Sequence, residues 1–203
     1  MAWEIKQPNL LIVEGKEEEL FFKAFLKEIG LNTIQILPIG GKEKLRPNLK
    51  ALVSSPGFSN VISLAVIRDA NSDPKSAFQR VHDSLVSAKL AAPDKPWETA
   101  GQGPRTAIVI LPAGDKRGML EDLCLEAVAT DPSLPCVEQY FECLAGSGIS
   151  LPRNMSKAKA QAFLASREKA GLRLGEAAEA GYWPWEATAF QQIRDFLQKI
   201  NRS

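Results

Sequence analysis

The stretch "LLIVEGKEEELFF", residues 10–22, decides the fold. Four apolar residues run directly into Glu14 and Gly15, and three more glutamates follow before the next apolar pair. The run 10–14 predicts a short buried strand, whereas residues 16–30 carry apolar side chains at helical spacing and predict a helix. The sequence around Glu14 therefore predicts a strand that ends on a carboxylate and is followed at once by a helix.

Strands and helices alternate over the first 130 residues. Further strands are predicted at 32–41, 60–68 and 106–114, and further helices at 42–55, 74–90 and 117–129, with Pro47 interrupting the first of these three helices and a loop over 91–105. The continuous apolar character of 60–68 indicates a strand that is buried on both faces. This order predicts an α/β fold, a compact doubly wound and mostly parallel sheet with helices on both faces, over residues 1–130.

The strand signal stops after residue 130, and residues 131–203 predict a helical extension packed on the core. Helices are predicted at 135–146, at 155–171 with Ser156 as the N-cap, and at 186–200. The segment "GYWPW", residues 181–185, predicts an aromatic plug between helices, with an aromatic stacking site as the alternative.

Composition excludes several classes of protein. The net charge of +1 is not that of a basic nucleic-acid coat, no apolar run approaches the roughly 18 residues of a membrane span, and the N-terminus lacks a signal peptide. Three scattered cysteines do not make a disulfide scaffold, so we expect a cytoplasmic protein. One histidine, His82, excludes His-rich metal sites, and the chain has neither a P-loop nor a G-x-G-x-x-G motif. Any chemistry must therefore come from carboxylates.

Carboxylates follow the predicted strands at the edge where parallel strands end. Glu14 ends the first strand, Asp69 ends the third, and Glu121 lies at the start of the helix after the fourth. Glu18 follows Glu14 by one helical turn, and Asn71 and Asp73 follow Asp69; all-oxygen ligands of this kind suit magnesium or manganese. The structural alternatives are that acidic residues favour a helix dipole and that an aspartate after a strand forms a turn.

Four motifs in order resemble the Toprim domain of topoisomerases, primases and OLD-type (overcoming lysogenization defect) nucleases. "IVEGKEEELFF" looks like the hydrophobic-Glu-Gly segment of that family, with the E-G-x-x-E spacing of its OLD branch, and "VIRDANSD" looks like the D-x-D segment. "GMLED" is similar to the G-x-L-E segment of the OLD branch, and "IGGKEKL" is similar to a glycine-lysine turn in standalone Toprim-like proteins. The resemblance covers residues 8–130.

The resemblance implies a divalent metal at the carboxyl edge of the sheet, used in phosphodiester cleavage or phosphoryl transfer. By position, Glu14, Asp69 and Glu121 match the motif carboxylates, and Glu18 matches the second glutamate of the OLD branch. Asn71 stands where the family has its second aspartate, which weakens the metal site or shifts that role to Asp73.

The leading hypothesis is a magnesium- or manganese-dependent nuclease. Glu18 would complete a second metal site or act as a base, and Lys116 and Arg117 would hold a phosphate or stabilise charge in the transition state. Lys42, with Gly15 and Gly41, is a further candidate for substrate binding. A solvated surface is the alternative for the three basic residues.

The predicted partner is nucleic acid. Between residues 153 and 174 six basic residues face one acidic residue, a tract that suits a nucleic-acid backbone or, alternatively, a solvated helix face.

Two other functions stay open, a non-catalytic metal- or nucleotide-binding module and a small-molecule phosphotransferase or phosphatase. Since the sequence starts at the first Toprim-like strand, we expect no ATPase domain of the kind that precedes this unit in OLD proteins, and this expectation favours action through a separate protein partner. A homodimer is a further option, and no membrane association is expected.

Overall fold

A five-stranded sheet forms the centre of the molecule, in a computed structural model that describes residues 3–113 and 116–201. In chain order the strands are β1 (Asn9–Val13), β2 (Ile34–Pro38), β3 (Ser63–Asp69), β4 (Thr99–Ala100) and β5 (Arg105–Leu111). Their spatial order is β2-β1-β3-β5-β4; every pairing is parallel except that of β4 with β5. The predicted doubly wound, mostly parallel sheet is confirmed.

Eight α-helices cover the two faces of the sheet within the described ranges. They are α1 (Lys16–Glu28), α2 (Leu45–Val53), α3 (Pro74–Ser87), α4 (Leu120–Ala127), α5 (Leu134–Gly146), α6 (Met155–Ala165), α7 (Leu174–Glu179) and α8 (Gln191–Asn201). Because side chains alternate along a strand, Leu11 and Val13 of β1 enter one core with α1, α4 and the C-terminal helices. Leu10 and Ile12 enter a second core with α2 and α3.

The C-terminal helices share the core of the sheet. Trp183 stacks on Phe163 of α6, and Trp185 contacts Phe21 and Phe25 of α1, which makes "GYWPW" the predicted packing plug. At the contact of α1 with α7, a Cβ on Gly175 would lie 2.6 Å from the carbonyl oxygen of Glu17, so only glycine allows this close approach. Within the described residues, no helix combines the length and apolar character that crossing a membrane requires.

Local chemistry overrides the sequence pattern at several places. Pro47 does not interrupt α2, because it lies in the first turn, where the missing N–H would have no helical partner. The predicted loop 91–105 contains β4, and the predicted strand 106–114 ends at Leu111, with Gly114 outside the described residues. The prediction that Ser156 caps α6 is wrong, because Asn154 accepts the N–H of Lys157 at 3.0 Å and is the cap.

Candidate active site

Asp69 ends β3 and links it to the first turn of α4. Its Oδ1 accepts the backbone N–H of Leu120 at 2.9 Å. Burial raises the pKa of Asp69 to about 8; the charges of Glu121, Glu18 and Glu14 add to this rise, and the hydrogen bond from Leu120 opposes it. Three further carboxylates, from distant parts of the chain, are therefore close enough to Asp69 to influence its ionisation.

Glu14 and Glu18 lie where β1 passes into α1. Gly15 is the N-cap of α1, and its N–H donates to Oε2 of Glu18 at 2.9 Å. A Cβ on Gly15 would lie 3.2 Å from that oxygen, so the small residue leaves the Glu18 carboxylate its place over the helix start. Burial raises the pKa of Glu18, backbone hydrogen bonds lower it, and the charge of Glu14 raises it further.

Glu121 lies in the first turn of α4, facing α6. Burial is the largest cause that raises its pKa, and the ammonium of Lys157, 3.8 Å from Oε1, acts in the opposite direction. Next to it, Asp122 accepts the N–H of Met119 at 2.8 Å through Oδ2 and the hydroxyl of Ser156 at 2.6 Å through Oδ1. Asp122 thus joins the start of α4 to α6 and brings Lys157 beside Glu121.

A cavity of about 530 Å³ opens at this edge of the sheet. Glu14, Glu18 and Glu121 line it, together with Lys157 of α6 and Arg173 at the start of α7. Its other lining residues are Gly15, Lys16, Glu17, Gly41, Leu120, Ala160, Gln161, Leu164 and Leu174. The cavity therefore combines acidic and basic side chains, and two of the basic ones, Lys157 and Arg173, come from the helical extension.

The carboxylates at this edge of the sheet suit a hard divalent cation. Carboxylate oxygens are the ligands that magnesium and manganese prefer, and the pKa values of Glu18, Asp69 and Glu121 are raised chiefly by burial, with repulsion between the carboxylates adding to the rise. Within residues 3–113 and 116–201, no group of three acidic, His or Cys side chains already has the arrangement that would hold a metal ion. The residues fit such a cation in chemistry, and closing on it would require their side chains to move.

Asn71 and Asp73, two predicted metal ligands, make local contacts instead. Asn71 is exposed, and its amide donates to the carbonyl oxygen of Asp69 at 3.3 Å. Asp73 is the N-cap of α3 and accepts the N–H of Ser76 at 3.0 Å. Both side chains serve the turn after β3, and neither lines the cavity.

The predicted substrate-binding residues divide between three places. Gly15 and Gly41 line the cavity, and the N–H of Gly41 donates to the carbonyl oxygen of Glu14 at 2.9 Å. Lys42 lines another depression, beside Arg68. Lys116 and Arg117 are exposed outside the cavity, and Lys116 lies 3.5 Å from Glu126.

Sequence reasoning missed the position of Lys157 and Arg173 beside the carboxylates. Both belong to the basic tract 153–174, so the sequence identified their charge. Their position depends on the Asp122–Ser156 hydrogen bond and on the packing of α7 against α1, which bring together residues far apart in sequence.

Solved structures show the same fold. A hypothetical protein of Pyrococcus horikoshii OT3 superposes with a TM-score of 0.62 at 17% identity, over 96% of this chain and 94% of that one. The C-terminal region of the OLD protein of Xanthomonas campestris pv. campestris superposes with a TM-score of 0.51 at 13% identity, covering 98% of both chains. The C-terminal region of the OLD protein of Burkholderia pseudomallei superposes with a TM-score of 0.51 at 14% identity, over 97% of this chain and 100% of that one. The chain therefore shares its fold with the C-terminal region of these OLD proteins.

Comparison of the sequence with known families identifies the family of this chain. No curated protein matches the chain. One family model matches residues 8–202, which is nearly the whole length and includes the helical extension as well as the sheet. The chain therefore belongs to the family DUF3226, which is described as a protein of unknown function.

Proposed function

We propose that this protein hydrolyses phosphodiester bonds of nucleic acid with the help of a divalent metal, magnesium or manganese. One observation carries the proposal: Glu14, Glu18, Asp69 and Glu121 come together at the carboxyl edge of the sheet, where burial raises the pKa of three of them. A site that gathers acidic groups at such electrostatic cost is suited to a cation.

In this proposal Glu14, Asp69 and Glu121 hold the metal, and Glu18 completes a second metal position or acts as a base. When bound, the metal would polarise the phosphate and stabilise the charge of the leaving oxygen. Glu18 keeps one carboxylate oxygen beyond its hydrogen bond from Gly15, and that oxygen is available to take a proton from water.

Lys157 and Arg173 provide the positive charge that faces a phosphate in the cavity. The Lys157 ammonium is exposed to solvent and lies 3.8 Å from Glu121, so it can bind a phosphate oxygen without leaving the site. Arg173 lies 3.8 Å from Glu17, with most of its side chain accessible. These two residues take the role that the sequence suggested for Lys116 and Arg117.

The test is cleavage of labelled single-stranded DNA, duplex DNA and RNA with magnesium or manganese. Glu14→Gln, Asp69→Asn and Glu121→Gln are each expected to lower the rate by about 100–1,000-fold, the scale on which removal of one key electrostatic group acts. Glu28→Gln is the matched control, because Glu28 is exposed at the far end of α1. Undiminished cleavage by the Asp69→Asn variant would contradict the proposal.

A second candidate is a non-catalytic module that binds metal or nucleotide and acts with a partner protein. The observation that favours it is Asn71, which stands at the position of the second aspartate in the Toprim D-x-D segment. Its neutral amide donates to the backbone carbonyl oxygen of Asp69. Tight binding of manganese or nucleotide without turnover of any of these substrates would support the module. Turnover of small phosphate esters alone would instead support a phosphotransferase or phosphatase.

A further inference from the structure

A depression with basic walls lies on the opposite face of the sheet from the carboxylate cavity. It has a volume of about 320 Å³. Four basic side chains line it: Lys42, Arg46, Arg68 and Arg80. The other lining residues are Glu43, Pro47, Asp83 and Ser84. We call the four basic residues and the space between them the basic cleft. They come from the turn after β2, from α2, from β3 and from α3.

Arg68 is the centre of the basic cleft and is unusual for its burial. It lies on β3 next to Asp69, and because strand side chains alternate, it enters the α2 and α3 side of the sheet. Only 9% of the residue is exposed. Across residues 3–113 and 116–201 its guanidinium makes no hydrogen bond and no ion pair.

The Arg68 guanidinium has no partner in the part of the chain that the structure describes, and its nitrogen atoms are not among the fully buried ones, so they keep contact with solvent. It carries five N–H donors and a positive charge, and each donor that loses contact with water needs a compensating partner. Its open side faces the cleft, where Lys42, Arg46 and Arg80 are exposed and add positive charge. Such an arrangement is suited to an anion that accepts several hydrogen bonds at once, and a phosphate group does this.

The two acidic residues of the cleft offset its positive charge only in part. Oδ1 of Asp83 is engaged by the amide of Gln79 at 2.8 Å and by the ring of His82 at 3.4 Å. Glu43 is exposed at the rim. Four positive charges against two negative ones leave an excess of two, and neither carboxylate reaches the Arg68 guanidinium within salt-bridge distance.

The basic cleft is adjacent to the carboxylate site. Lys42 and Arg68 also line a narrow space of about 10 Å³, and Glu14 lines the same space. Glu14 therefore lies between the two sites, at the carboxyl end of β1. One extended ligand with several phosphates can reach both sites by passing over this edge.

We propose that the basic cleft binds a phosphate group, and that in the nuclease reaction it holds a phosphodiester of the nucleic acid beside the one that is cleaved. The second half of this proposal rests on the proposed function. The first half rests only on the cleft, and the experiments separate the two.

The first experiment measures the affinity of a labelled single-stranded oligonucleotide in EDTA, where no cleavage occurs, at several salt concentrations. Arg68→Gln and the double variant Arg46→Gln/Arg80→Gln are each expected to weaken binding about tenfold or more, with a smaller slope of log affinity against log salt. Lys50→Gln is the matched control, since Lys50 is an exposed residue of α2 outside the cleft. Unchanged affinity and slope in both variants would overturn the nucleic-acid half of the proposal.

The second experiment titrates inorganic phosphate and a mononucleotide while the NMR signal of the Arg68 Nε–H is followed. Saturable shifts that disappear in Arg46→Gln/Arg80→Gln support a phosphate site. If phosphate shifts the signal but the oligonucleotide affinity does not depend on Arg68, the cleft takes a small free phosphate and the nucleic-acid half fails. No shift with phosphate, mononucleotide or oligonucleotide would overturn the whole proposal.

Two further measurements distinguish ligand binding by Arg68 from a structural role of this residue and from the proposed nuclease activity. If Arg68 serves to bind a ligand, the Arg68→Met variant will unfold in phosphate-free buffer at the same denaturant concentration as the parent protein or at a higher one. A large loss of stability would instead assign Arg68 a structural role and overturn the proposal. In the cleavage assay, Arg68→Gln is expected to raise KM with kcat unchanged. Arg68-dependent binding in EDTA by a protein that cleaves nothing would leave the cleft standing and remove the proposed nuclease.

Discussion

The Asp69 carboxylate accepts the backbone N–H of Leu120 at 2.9 Å and so connects two residues 51 positions apart in the chain. This hydrogen bond fixes the start of α4 against the end of β3 and brings Glu121 next to Asp69. The same bond limits the rise of the Asp69 pKa, because it stabilises the charged form, although burial and the neighbouring carboxylates outweigh it. The Asp69 carboxylate therefore positions α4 at the site and is itself difficult to ionise.

Asp69→Asn is expected to stabilise the metal-free protein at pH 8 much more than at pH 5. The folded pKa of Asp69 is about 8 and the ordinary value is 3.8. Below pH 4 the group is protonated in both states; between pH 4 and 8 the folded protein binds more protons than the unfolded chain, so stability falls as pH rises. Since one pKa unit corresponds to about 1.4 kcal/mol, the gain from Asp69→Asn should grow by at most about 4 kcal/mol between pH 5 and pH 8.

Urea unfolding in EDTA at the two pH values measures this difference. The asparagine side chain of the Asp69→Asn variant would still offer an oxygen to the Leu120 N–H, so the variant isolates the charge. Asp73→Asn is the control, because asparagine caps a helix as well as aspartate does and Asp73 is exposed. An equal effect of Asp69→Asn at both pH values would mean that Asp69 ionises normally in the fold.

Manganese is expected to raise the melting temperature, and to do so more at pH 8 than at pH 6. The metal competes with protons for carboxylates whose pKa values are raised, so its affinity increases as these protons leave. At 100 times the dissociation constant a ligand adds about 2.7 kcal/mol, which for a chain of this size corresponds to about 5–10 °C. Thermal unfolding should show this shift in the parent and in Glu28→Gln, and EDTA should reverse it. A shift that survives in Glu14→Gln and Glu121→Gln would place the metal elsewhere.

Lys157→Met should lower the cleavage rate by about 10–1,000-fold while leaving the manganese-induced thermal shift at least as large as in the parent. Lys157 lies 3.8 Å from Glu121, where its charge opposes a bound cation but favours a phosphate. Lys159→Met is the control on the same helix, because Lys159 instead pairs with Glu138 at 2.5 Å. Loss of the thermal shift in Lys157→Met would indicate that this residue supports the carboxylates and does not contact substrate.

Sequence patterns indicated the sheet and the grouping of carboxylates at its edge because both depend on local signals. Apolar runs such as 60–68 specify buried strands, and parallel strands necessarily bring their carboxyl ends to one edge, so Glu14, Asp69 and Glu121 could be grouped from the order of the elements alone. The position of Lys157 and Arg173 at the cavity, and the basic cleft as a whole, depend on side chains that meet only after folding. Arg68 is one residue from Asp69, but no local pattern indicates that it would be buried without a partner.

Gly118→Ala is expected to destabilise the protein by about 2–4 kcal/mol and to disturb the carboxylates at the edge of the sheet. Gly118 has φ of +135°, and a Cβ there would lie 2.7 Å from Oδ2 of Asp122 and 3.1 Å from Pro112. Its backbone also exchanges hydrogen bonds with Asn71 at 2.6 and 2.8 Å, so displacement would separate the turn after β3 from the start of α4. Gly148→Ala is the control for a positive backbone angle, since Gly148 has φ of +72° with no atom near the added Cβ, and it should cost only about 1–2 kcal/mol, the penalty of the left-handed angle alone. Urea unfolding compares the two variants; equal losses would mean that the backbone angle, and not the contact with Asp122, requires glycine at position 118.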